Sequence, residues 1–224
     1  MSTIIEFTTT LQRSWDILPC PRDRAVWTFD TPHQAVRGPF DLALVKSEQL
    51  RIVVGEGQTA LQTCRGTLQR VYFEGTHLIS SKTAEECPDD SLLYILQIGH
   101  PLVVPWCQHL PLLPGKNCSS PPGLTSGTFV ASIIDPCVFH ASFLANRVGE
   151  GESICRETLA HLLPSFLAIH LARSGLDLHE HQNLVSAIDQ FPVEQIDPDL
   201  APYGLCCQKI SLSEKPGTAP LPVG

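Results

Sequence analysis

Gly55-Glu56-Gly57-Gln58-Thr59-Ala60 reads G-x-G-x-x-A directly after the apolar run 50–54, and Glu74 lies 19 residues beyond the first glycine. At that spacing, glycine backbone meets a nucleotide's pyrophosphate and an acidic side chain meets the ribose. The chemistry requires the glycine turn to open a helix, where free N–H groups and the positive dipole end hold the phosphates. Residues 59–70 instead contain Thr59, Thr63, Gly66 and Thr67 in a two-residue rhythm, which predicts a strand after a hairpin turn. A small soluble nucleotide-binding enzyme using this turn stands as the alternative function.

Gly123-Leu124-Thr125-Ser126-Gly127 has the spacing of a nucleophile elbow with threonine at the nucleophile position. It follows Pro121-Pro122 rather than a strand and precedes a strand-like run, so both flanks differ from the strand–turn–helix that exposes such a nucleophile. His161, His170, His179 and His181 cluster in sequence around one helix junction, and Glu180 lies between the last two. Imidazoles suit zinc or nickel, but residues two apart on a helix face different sides. These histidines are read as solvated helix residues. The acidic residues Glu85, Glu86, Asp89 and Asp90 are read as a solvated loop, and Asp23 and Asp30 as unpaired. No catalytic, cofactor-binding or metal-ligating residue is assigned, and no cofactor is expected.

The nine cysteines, at 20, 64, 87, 107, 118, 137, 155, 206 and 207, are odd in number and contain no C-x-x-C. Met1-Ser2-Thr3-Ile4-Ile5-Glu6 has neither a basic stretch nor a long apolar one, so no secretory signal is read there. Reduced, mostly buried thiols in a cytoplasmic protein are the expectation. Cys206 and Cys207, adjacent in a strand, would point to opposite faces and cannot chelate together.

With 15 Lys+Arg against 23 Asp+Glu the net charge is −8, and no basic cluster offers a footprint for nucleic acid. Charged residues are 17% of the chain, well below the roughly 25% usual for soluble domains. The deficit is deepest in residues 91–134, where Lys116 is the one formal charge. The 25 uncharged residues from 91 to 115 could span a bilayer by length. Pro101, Pro105, Pro111 and Pro114 exclude a continuous spanning helix. This stretch is either a set of buried strands or an apolar contact surface formed by Leu102, Val104, Trp106, Leu110, Leu112 and Leu113.

The elements that must position these residues follow from the pattern. Residues 1–40 are broken by Pro19, Pro21, Pro32 and Pro39 and read as an irregular arm with one short strand at 25–29. Short apolar runs at 42–45, 50–54, 59–63, 68–73, 92–98, 102–106 and 128–134 predict antiparallel strands in a strongly bent sheet over 41–134. Asp135-Pro136 predicts a capped helix start, with a short helix over 138–144. Further helices are expected at 153–174, kinked or broken at Pro164, and at 177–190, with short helical turns to about 200. A return strand at 205–212 and a disordered tail over 214–224 complete an α+β chain.

The order of these features resembles the SPFH, or band 7, domain superfamily of stomatins, prohibitins and flotillins. Residues 50–61 look like its opening strand pair, and Gly66 with Gly75-Thr76-His77 is similar to its hairpin exit. Residues 127–136, ending in Asp135-Pro136, resemble the strand before its first helix, and Tyr203-Gly204-Leu205 resembles its return strand. The soluble bacterial branch resembling virion-core-like proteins is the nearest in appearance, and Gly75, His77, Asp135, Pro136 and Gly204 are the markers of the resemblance. It covers about residues 41–213 and implies a non-catalytic scaffold or adaptor that self-associates and organises partner proteins. Such a protein is expected in the cytoplasm, with peripheral contact to the inner face of the membrane and none to nucleic acid. Members of the family usually continue into a long coiled coil, whereas this chain ends soon after the return strand.

Overall fold

A computed structural model describes residues 2–6, 16–20, 25–28, 34–42, 49–80, 90–109, 124–145, 151–173 and 181–212. The chain is α+β with antiparallel pairing dominant, as the strand and helix patterns predict. It divides into two compact units, one of Met1–His100 with Ile133–Ile154 and one of Pro101–Ser132 with Cys155–Gly224.

In the first unit, β1 (Ser2–Glu6), β2 (Asp16–Cys20), β3 (Ala25–Thr28), β5 (Gln49–Val54) and β8 (Gly75–Ser80) form one sheet in the order β2-β1-β3-β5-β8. A second sheet has the order β4-β9-β6-β7, from β4 (Val36–Asp41), β6 (Gln58–Cys64), β7 (Thr67–Tyr72) and β9 (Ser91–Gln97). The single bent sheet expected over 41–134 is thus divided, because the chain changes sheet at Gly55–Gln58 and again at Phe73-Glu74. Nor are residues 1–40 an irregular arm around one strand: β1 pairs parallel with β3, and β3 pairs parallel with β5. The strand at 25–28 is where the pattern predicts it, while β1, β2 and β4 are additional.

Alternation fixes which face of each strand is inside. Trp27, Leu50, Ile52, Val54 and Ile79 from the first sheet meet Ala60, Tyr72, Leu93 and Ile95 from the second in one core. The opposite face of β9 is buried as well, with Tyr94 edge-on to His140 at 6.2 Å between ring centroids. A strand covered on both faces reads as a continuous apolar run, Leu92-Leu93-Tyr94-Ile95-Leu96. The β6–β7 hairpin turns on Arg65 and Gly66, both with positive φ, and Asp90 holds the Arg65 side chain at 3.1 Å. After Ile133 the chain enters α1 (Pro136–Phe139) and a π turn over His140–Leu144.

In the second unit, β10 (Pro101–His109), β11 (Leu124–Ile133) and β12 (Leu205–Leu212) form a sheet in that order. Gly127 lies opposite Trp106. A Cβ there would collide with the Ser211 carbonyl and stand 2.9 Å from the Trp106 ring, so only glycine allows β11 and β12 this approach. Helix α2 (Gly151–Arg173) runs through Pro164 without the expected break. Cys155, Leu159, Leu163, Leu167 and Leu171 recur every fourth residue on its buried side, and Ile169 is exposed. Then come α3 (His181–Asp189), a 3-10 turn over Val193–Gln195, α4 (Asp197–Leu200) and a second 3-10 turn over Ala201–Tyr203. The start of the helix expected from 177 and the tail at 214–224 lie outside the described residues.

Candidate functional site

Each marker residue of the resemblance holds backbone in place. Asp135 is extended at φ −126°, and its Oδ1 accepts hydrogen bonds from the Cys137 and Val138 N–H groups at 2.9 and 3.0 Å. Pro136 occupies the first helical position, where a missing N–H costs nothing. Gly75 has φ +133° and begins β8, while His77 Nε2–H donates to the Phe73 carbonyl at 2.6 Å and its ring lies against Tyr72. Gly204, at φ +73°, takes the left-handed position that ends the last 3-10 turn and releases the chain into β12.

The expected apolar contact surface requires correction. Leu102, Val104 and Trp106 are 0–2% exposed, while their neighbours Val103 and Cys107 face outward. The period of two along β10 puts the three large side chains together on the inner face, with Trp106 against Phe129 at 5.7 Å between centroids. Low charge over 91–109 therefore reflects burial. Leu110, Leu112 and Leu113 lie outside the described residues. Among the described residues no helix is long and apolar enough to cross a membrane.

The two enzyme-like motifs also find structural places. Gln58 N–H donates to the Gly55 carbonyl at 3.1 Å, and Gly57 has φ +70°, which makes 55–58 a tight turn. It opens β6 rather than a helix, so the N–H groups that would hold a pyrophosphate are not presented there. Nor is it a hairpin turn, since β5 and β6 belong to different sheets. Thr125 lies inside β11 and is buried, without the exposed strand-to-helix elbow a nucleophile needs.

Among the described residues no three His, Cys, Asp or Glu side chains converge as metal ligands. His161 is exposed on α2. His170 Nε2–H donates to Asp199 Oδ2 at 2.6 Å and stands edge-on to Phe191, tying α2 to α4. His179 and Glu180 lie outside the described residues. Cys64, Cys155 and Cys207 are buried thiols, whereas Cys107 and Cys137 are exposed. Burial, with Asp197 adding to it, pushes the Cys207 thiol up to about 12, far from nucleophile chemistry. Its neighbour Cys206 turns the other way and meets Ser132 Oγ at 3.2 Å, as alternation predicts. Trp106 Nε1 and Ser126 Oγ are buried without hydrogen-bond partners, but they occupy opposite faces of the β10–β11 ladder and form no common site.

Besides β1, β2 and β4, the sequence patterns do not predict β8. Gly75-Thr76-His77-Leu78-Ile79-Ser80 alternates exposed Thr76 and Leu78 with inward His77 and buried Ile79, a period that could have marked it. It pairs antiparallel with β5 and ends its sheet. No protein-family model matches this chain, and no curated protein matches it either.

Proposed function

We propose that this chain is a non-catalytic, SPFH-like scaffold or adaptor that acts by protein–protein contact, including contact with its own copies. The observation that carries the reading is the order of elements around the marker residues. A long strand, β11, ends at the Asp135 cap and Pro136, helices follow, and β12 returns beside β11 through Gly204. A second support is the placement of polar side chains: Asp135, His77, His170 with Asp199, and the buried Tyr72–Gln62 hydrogen bond of 2.6 Å all fasten backbone or neighbouring elements. Light scattering on the purified full chain over rising concentration tests the reading. The expected result is a mass climbing above the 24.5 kDa of one chain. A chain that stays monomeric and retains no protein in a pull-down would contradict it.

A further inference from the structure

His140 is the one titratable side chain among the four buried in the segment 136–145. Phe139, His140, Phe143 and Leu144 are each at most 3% exposed, with the Phe139 and Phe143 rings 5.0 Å apart and His140 edge-on to Tyr94 of β9. The segment's hydrogen bonds are local: the Cys137 and Val138 N–H groups donate to Asp135 Oδ1, the Phe139 N–H to the Asp135 carbonyl and the Ala145 N–H to the His140 carbonyl. Among the described elements, α1 and the π turn contact each other more than they contact any other. The backbone is extended at both ends, at Asp135 and at Ala145. The result is a short, self-bonded segment held in its unit by side-chain burial. Such a segment opens at a lower free energy than the strands of a core.

An imidazolium in this place has no counter-charge. Among the described residues Nε2 has no hydrogen-bond partner, and the titratable groups of the surrounding elements are engaged or turned away. Asp135 is taken by its two N–H donors, Cys137 is exposed, and Tyr94 presents a neutral ring. Glu152, at the start of α2, accepts the Val36 N–H at 3.3 Å. Arg37 of β4 stands opposite Ile95, whose side chain lies in the core on the other face of β9. Burial accordingly holds the imidazole below its ordinary pKa. We propose that 136–145 is an acid-released latch: protonation of His140 drives the segment out of its seat while the two sheets of its unit stay folded. Release uncovers Phe139, Phe143 and Leu144 beside Ile134, which is already 53% exposed. In the released segment the imidazole is in water and binds its proton with the ordinary pKa of about 6.5. The ratio of released to seated segment therefore rises as the pH falls below about 6.5, by up to about tenfold per pH unit, until the seated imidazole also titrates.

Amide hydrogen exchange on the full chain at about pH 7.5 and 5.5, corrected for the intrinsic pH dependence of exchange, tests the latch. At the lower pH the amides of 138–145 should be protected at least about tenfold less than those of β6 and β9. Their own protection should have dropped by up to about tenfold from the higher pH. In His140→Phe, which keeps a ring in the site and removes the titration, the drop should vanish. His140→Gln, polar and without titration, gives the same readout if phenylalanine disturbs the packing. If 138–145 share the protection of β6 and β9 at both pH values, the segment leaves only when the whole unit unfolds and the latch is wrong. A wild type with no drop, or an equal drop in the wild type and both variants, overturns it as well.

Discussion

His140 is a buried imidazole at the junction where α1 gives way to the π turn, with the Tyr94 ring edge-on to it and no hydrogen-bond partner for Nε2. Burial holds its pKa below the ordinary value of about 6.5. The unfolded chain therefore takes up a proton that the folded one resists. This contribution to stability is fully present above pH ~6.5 and declines as the pH falls below it, until the folded imidazole also titrates. Thermal unfolding at about pH 7.5 and 5.5 checks this: the wild type should lose stability on acidification, and His140→Phe, which keeps the ring and removes the titration, should lose less. An equal loss in both proteins would place the acid sensitivity elsewhere. Sequence alone could not single out His140, because its burial comes from β9, more than forty residues away.

At the scale of elements, local chemistry was the most legible. Asp135-Pro136 predicted a helix start, and the cap is formed as expected, with two N–H groups satisfied by one carboxylate. Asp135→Ala should cost about 1 kcal/mol, measured as a lower urea midpoint with an unchanged slope, whereas Asp135→Asn should retain most of the stability. The return strand Leu205–Leu212 falls on its expected residues, bounded by Tyr203-Gly204 on one side. What the period of two could not say is which face is inside. Leu102, Val104 and Trp106 were as consistent with an outer surface as with a core until β11 was placed beside them. Sheet membership was hidden for a related reason: a tight turn such as Gly55–Gln58 looks the same whether it closes a hairpin or carries the chain between sheets. The parallel pairing of β1, β3 and β5 joins strands far apart in sequence, and no local signal encodes it.

For the whole molecule, the absence of charge that looks at first like a membrane or docking signal is the signature of strands β9, β10 and β11, each with at least one buried face. Contact between proteins, the function proposed above, needs surface complementarity rather than a spaced set of reactive side chains, so it leaves no catalytic motif in a sequence. The direct measurement is amide hydrogen exchange on the full chain at two concentrations about a hundredfold apart, which reads self-association amide by amide. One set of surface amides should exchange more slowly at the higher concentration, while the rest stay unchanged. Identical exchange throughout the chain at both concentrations would contradict the account.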